Sequence, residues 1–97
     1  MYKLNDDMRA KAKEIGLQIY ASDNPKKKLE IYDEDGIFLY YIGNRNLPDF
    51  YLYRELENLN FVPKGTAKKQ RDLFYKKYQA KIEQGGRMFV NYYLLWK

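Results

Sequence analysis

The residues best suited to chemistry are a run of cations in the second half of the chain. Between residues 64 and 81 the sequence has seven Lys and Arg side chains and a single acid, Asp72. Such a concentration of charge predicts contact with phosphates or with an acidic partner. It also fits the solvated outer face of an amphipathic helix, so both interpretations stay open. The seven cations are Lys64, Lys68, Lys69, Arg71, Lys76, Lys77 and Lys81.

The kind of cation limits what this run could recognise. Lysine is a mobile point charge, whereas arginine has a planar fork that makes paired hydrogen bonds to a base edge. Arg71 is the one arginine between residues 64 and 81. We therefore expect contacts with phosphates, without sequence-specific reading of DNA.

The composition excludes several classes of enzyme. The chain has 97 residues and contains no His and no Cys. Zinc sites built from Cys and His, thiol nucleophiles, Ser-His-Asp triads and disulfides all need those side chains. The residues from Asp33 to Gly36 are similar to the start of a calcium loop, but the later oxygen ligands are missing, which favours a hairpin turn. We expect no catalytic residue, no metal and no cofactor, and hence a protein that is not an enzyme.

Aromatic residues are the second unusual feature of the composition. The chain has 11 Tyr, 5 Phe and 1 Trp, and tyrosine suits both a padded core and a half-buried interface. Near the C-terminus the run from Tyr92 to Trp96 is either a strand that completes the core or an anchor for another protein. The candidate interface residues of that anchor are Tyr92, Tyr93, Leu95 and Trp96.

Local signals predict helices and strands in the first half of the chain. Asn5 is suited to cap a first helix that stops at Gly16. Leu29 and Ile31 alternate with charged residues, as in a half-buried strand. Asp35-Gly36 predicts the turn into a partner strand at residues 37–42.

The second half is predicted to contain two further helices and a strand. Asp49 is suited to cap a helix in which Leu52, Leu56 and Leu59 recur at helical spacing. Thr66 is predicted to cap the longest helix, which continues to the stop at Gly85-Gly86. Its apolar side combines Ala67, Phe74, Tyr78 and Ile82, with Tyr75 at the edge and with Lys69 and Lys76 on the opposite side. Residues 88–96 are predicted to form a central strand or a docking tail.

Together these elements predict an α+β fold. We expect a small single domain over residues 1–97, in which a β-hairpin and a C-terminal strand pack against two or three helices. Residues 1–25 supply the N-terminal helix and a turn, and residues 26–97 supply the rest. No apolar run is long enough to span a bilayer and residues 1–9 are charged, so we expect no membrane partner and no secretion.

Several short motifs resemble those of a known group of proteins. These are Lys27-Lys28-Leu29, the Gly36 turn, Ile42-Gly43, the basic helix with Arg71 and Tyr75, and the closing Tyr-Leu-Leu-Trp. Over about residues 26–97 they resemble small uncharacterised basic proteins of large DNA viruses and large phages. The resemblance implies a viral setting and a place in the particle, and it names no activity.

The leading hypothesis is a virus or phage accessory protein associated with the particle. It would bind other viral or virion proteins through aromatic surface and face nucleic acid with the basic helix. One alternative is a non-specific nucleic-acid-binding protein that acts in the host cytoplasm. Another is a host-directed inhibitor. The sequence leaves the oligomeric state open.

Overall fold

The computed structural model describes residues 2–97 and has an α+β fold with a three-stranded antiparallel sheet and four helices. The chain forms two compact units: the first ends at Leu47, and the second is Pro48–Lys97. The first contains one helix and the sheet, and the second contains three helices. The elements are α1 (Asp6–Glu14), β1 (Gln18–Ala21), β2 (Lys27–Tyr32), β3 (Phe38–Asn44), α2 (Phe50–Asn58), α3 (Thr66–Glu83) and α4 (Arg87–Leu95).

The predicted hairpin is confirmed as the pair β2–β3. Its turn is held by Asp33, whose carboxylate accepts hydrogen bonds from the backbone N–H of Asp35 and of Ile37, both at 2.9 Å. Gly36 adopts a φ of 81°, a conformation that L side chains rarely adopt. The acids of this loop therefore shape a turn.

The third strand of the sheet is β1, which was not predicted from the sequence. The sheet order is β1-β2-β3, with Ile19 opposite Ile31 and Leu29 opposite Ile42. These four side chains are buried on one face of the sheet. Strand β1 has only four residues, which is too short for its alternation of buried and exposed positions to stand out.

The N-terminal helix α1 forms as predicted. The side chain of Asn5 accepts a hydrogen bond from the backbone N–H of Met8 at 2.8 Å, which satisfies one of the free donors of the first turn. Met8 and Ala12 are buried, and α1 packs against β1.

Helix α2 also begins as predicted, but its leucines do not form a core face. Asp49 caps the helix by accepting a hydrogen bond from the N–H of Leu52 at 2.9 Å. No residue of α2 is buried, and Leu52 and Leu59 are exposed. The ring contacts of Phe50 and Tyr53 lie on the opposite side of the helix. The leucine spacing thus predicts the helix correctly without identifying its packed side.

The long helix α3 has the predicted apolar side. Ala67 and Ile82 are buried, whereas Phe74 and Tyr78 are half-buried. At Tyr78 the backbone leaves helical geometry, with a φ of −113° and a ψ of 15°, so the helix is kinked there.

The prediction that Thr66 caps α3 is wrong. The cap position is Gly65, and the Thr66 hydroxyl instead donates to the carbonyl oxygen of Pro63 at 2.6 Å. The carboxylate of Glu57 supplies the cap by accepting from the N–H of Gly65 at 2.7 Å and of Ala67 at 2.8 Å. These hydrogen bonds, together with the charge of Arg54, lower the pKa of Glu57 below its ordinary value of 4.5.

This cap predicts a pH-dependent loss of stability in Glu57→Gln. Because the folded-state pKa is lowered, the stabilisation is present above the ordinary pKa and disappears as the pH falls through the lowered one. The variant is expected to melt below the wild type at neutral pH and level with it in strong acid. Thermal unfolding followed by circular dichroism measures the difference. Glu55→Gln, an exposed position on the same helix, is the control, and equal melting of the two variants at neutral pH would contradict the cap.

The predicted C-terminal strand is wrong, because Arg87–Leu95 is helix α4. Aromatic and β-branched residues raise the strand preference of this segment. Val90 and Leu94, however, are four residues apart and both buried, and the rings of Phe89 and Tyr93 stack at the same spacing with centroids 5.5 Å apart. Packing of one helical side therefore outweighs the local preference.

In residues 2–97 none of the four helices combines the length and apolar character that a membrane crossing requires.

Candidate nucleic-acid interface

The excess positive charge of the chain lies in the second unit. Pro48–Lys97 contains ten Lys and Arg side chains against five Asp and Glu, while residues 1–47 contain eight of each. The formal net charge of +5 therefore belongs to the helical unit. A basic unit of this kind attracts polyanions at long range.

Within that unit, three lysines of α3 share one region of surface, which we call the lysine face: Lys68, Lys69 and Lys76. All three are exposed. Lys69 and Lys76 are seven residues apart, which is nearly two helical turns. They therefore lie on the same side of the helix, roughly 10 Å from each other along its axis. Together with Gly65, Asp72 and Leu73, the lysine face lines a shallow depression of about 380 Å³.

The other predicted cations are not all part of this face. Lys77 and Lys81 are exposed on another side of α3, where the Lys77 ammonium lies 5.2 Å from the ring centroid of Tyr78. Lys64 is exposed and precedes the helix. The structure therefore divides the seven predicted cations into groups.

Arg71 is turned toward the packed side of α3. Its guanidinium lies over the Phe50 ring, 5.0 Å from the centroid, and its Nε is 3.8 Å from a carboxylate oxygen of Asp72. The side chain is 27% exposed. Because the only fork-shaped cation between residues 64 and 81 is engaged in this way, the lysine face can contact phosphates but has no residue suited to read base edges.

The lysine face keeps its charge available. Across residues 2–97 none of its three ammonium groups is in an ion pair. The acids nearby have other partners: Asp72 faces Arg71, and Glu83 accepts hydrogen bonds from the Tyr75 hydroxyl and the Gln79 amide, both at 3.1 Å. The hydrogen bond to Glu83 also raises the pKa of Tyr75, so this tyrosine stays neutral at physiological pH.

The C-terminal aromatic cluster is largely used inside the second unit. Leu95 is 1% exposed, so its predicted place on an interface is corrected to a buried position. The Trp96 ring stacks on Phe74 with centroids 4.7 Å apart, and Tyr92 contacts Tyr75 at 5.2 Å. Tyr92, Tyr93 and Trp96 are half-buried. Apolar packing, rather than an open anchor, accounts for most of this segment.

A second aromatic surface, which was not predicted from the sequence, lies on the sheet of the first unit. We call Tyr20, Tyr32, Phe38 and Tyr41 the aromatic sheet face. Their rings form a chain across all three strands, with successive centroids 5.4, 5.6 and 5.0 Å apart. Tyr20 is 50% exposed and Phe38 is 41% exposed. Phe38 and Tyr41 are three residues apart in β3 and share a face because the pairing register shifts at Ile31 and Tyr32, so the period of two in the sequence did not reveal this surface.

Two carboxylates contact the hydroxyl groups of these rings: that of Asp23, which accepts from Tyr41 at 3.4 Å, and that of Glu30. The Glu30 carboxylate accepts hydrogen bonds from the backbone N–H of Asp23 at 2.9 Å and from the Tyr32 hydroxyl at 2.8 Å. These contacts lower the pKa of Glu30, the Asp23 backbone being the largest cause, and the same carboxylate raises the pKa of Tyr32. The rings of the aromatic sheet face therefore lie close to the negatively charged carboxylate of Glu30.

Among residues 2–97 the structure has no group of three His, Cys, Asp or Glu side chains that could hold a metal ion. Comparisons of the chain with protein-family models, with curated proteins and with solved structures found no match.

Proposed function

We propose that this protein binds nucleic acid non-specifically through the lysine face of α3. The observation that carries the proposal is the grouping of three exposed lysines, free of ion pairs within residues 2–97, around one shallow depression in a unit of net positive charge. Phosphates are the polyanionic groups that such a surface favours, and their binding releases condensed counterions. The engagement of Arg71 by Phe50 supports phosphate contact without base reading.

The test is binding of the purified protein to a duplex of random sequence across a salt series. With three phosphate contacts, the logarithm of the affinity is expected to fall with the logarithm of salt concentration at a slope of about −2.7. Between about 50 and 200 mM salt this corresponds to a loss of roughly 40-fold. A duplex of another sequence should bind equally well. Absence of binding at the lowest salt would contradict the proposal.

The resemblance to small viral and phage proteins suggests where this binding would take place. In a virus or phage particle the lysine face would contact packaged nucleic acid. In the host cytoplasm the same surface would bind host or viral nucleic acid. In both settings the lysine face would bind phosphates through the same exposed ammonium groups.

We also propose that the aromatic sheet face contacts protein neighbours, such as other viral proteins. Two further apolar side chains of the same unit are exposed, Ile37 before β3 and Leu39 within it. Exposed apolar and aromatic surface of this kind is typical of an interaction site. In the assembled particle, a photo-reactive analogue replacing Phe38 is expected to crosslink to one discrete protein, unlike the same analogue at the exposed Lys13 of α1. Matching crosslink patterns would contradict this role.

A further inference from the structure

A groove in the second unit lies between the C-terminal half of α3 and helix α4. It encloses about 450 Å³, which is within the usual range of ligand sites. Four of its nine lining residues are aromatic, and the lining also includes one carboxylate, that of Glu83, and one ammonium, that of Lys97. The aromatic lining residues are Tyr75, Phe89, Tyr92 and Tyr93.

The rings of this lining form two pairs. Phe89 and Tyr93 are nearly parallel, with an interplanar angle of 13°, whereas Tyr75 and Tyr92 are tilted by 54° with centroids 5.2 Å apart. All four residues are half-buried, so part of each side chain remains accessible. Aromatic rings that line an open groove are suited to stack on the π-faces of nucleic-acid bases.

The charged side chains of the groove favour a base inside it and a phosphate beside it. The Lys97 ammonium lies 5.3 Å from the Tyr93 ring centroid, where it attracts a phosphate. Lys76 belongs to the lysine face, which supplies further ammonium groups for the same strand. The Glu83 carboxylate repels a phosphate but can accept a hydrogen bond from the N–H groups of a base edge.

The aromatic sheet face does not offer the same combination. Its rings surround the carboxylate of Glu30, which is bonded to the backbone of Asp23 and stays anionic. Each aromatic surface has a carboxylate, Glu30 on the sheet and Glu83 in the groove, but the groove lining also includes the ammonium of Lys97, which attracts the phosphates that accompany each base. The groove of the second unit is therefore the better site for bases.

We infer that the groove between α3 and α4 binds unpaired bases, so that the protein prefers single-stranded nucleic acid to duplex. This inference rests on the proposed function, because the lysine face would hold the backbone of the same strand. In a duplex the bases are paired and stacked on each other and cannot enter the groove. A single strand can present them while its phosphates contact Lys76 and Lys97.

The experiment compares binding of a single strand of about 12 nucleotides with binding of a duplex of equal length, by fluorescence anisotropy. Wild-type protein is expected to bind the single strand more tightly. Tyr93→Leu, which keeps apolar volume and removes the aromatic ring, is expected to lower single-strand affinity about 5- to 100-fold and leave duplex affinity unchanged. Phe89→Leu provides a second variant at the same ring pair, and Tyr20→Leu on the aromatic sheet face is the matched control.

Each outcome separates this inference from the proposed function. Equal wild-type affinity for the two forms, or unchanged single-strand affinity in both groove variants, would overturn the groove as a base site while leaving duplex binding by the lysine face intact. Equal losses on single strand and duplex in folded variants would also overturn it. Absence of binding to either form would remove both proposals together.

Discussion

Replacement of Lys68, Lys69 and Lys76 with glutamine is expected to weaken duplex binding roughly 500-fold near 0.1 M salt, because each lysine–phosphate contact contributes about eightfold through counterion release relative to about 1 M salt. The salt dependence should change with the affinity, and its slope should become shallower by about 2.7. The three side chains are exposed, so the fold is expected to survive the substitutions. A salt series on the variant measures both quantities.

The matched control removes the same amount of charge from the first unit. Lys3, Lys13 and Lys26 are exposed lysines outside α3, and their replacement with glutamine lowers the net charge equally. If the lysine face is the binding site, this control keeps the wild-type slope and most of the affinity. Equal weakening of the two triple variants would mean that overall charge, rather than a defined face, controls binding.

The second large effect is expected from Leu94→Ala in helix α4. Leu94 is fully buried, and truncation of a buried leucine costs about 2–5 kcal/mol of the free energy of unfolding. A domain of this size has only about 5–15 kcal/mol in total, so the variant should be severely destabilised. Chemical denaturation followed by circular dichroism gives the difference in free energy.

Leu73→Ala is the control for that substitution. Leu73 is 50% exposed on the outer side of α3, and its replacement with alanine removes the same atoms as Leu94→Ala. Its replacement is expected to change stability by less than about 1 kcal/mol. If both variants lost the same stability, the burial of α4 in the second unit would be wrong.

Elements whose ends are fixed by local contacts could be predicted from the sequence. Asn5 and Asp49 each bond to an N–H group three residues ahead, and the Asp33 loop closes within five residues. Such contacts depend on neighbours in the chain, so the residue types indicate them directly. The α3 cap was missed because its acceptor, Glu57, is eight residues before Gly65 and on another helix.

The errors at β1 and α4 have a different cause. Both segments are short, and packing with distant residues decides their state. In α4, helical packing places Val90, Leu94 and Leu95 among the buried residues although aromatic neighbours favour a strand. The lysines of the candidate site could be predicted because α3 has a clear apolar side, whereas the aromatic groove could not, since it exists only when residues 87–95 are helical.

The measurement that tests the nucleic-acid interface most directly is nuclear magnetic resonance mapping of the backbone amides during a titration with duplex. Binding through the lysine face is expected to shift amide signals around residues 65–77 of α3 and to leave the sheet residues 18–44 unchanged. Loss of these shifts as salt is raised would identify them with phosphate contact. Shifts confined to the sheet, or no shifts under conditions of low salt, would contradict the proposed interface.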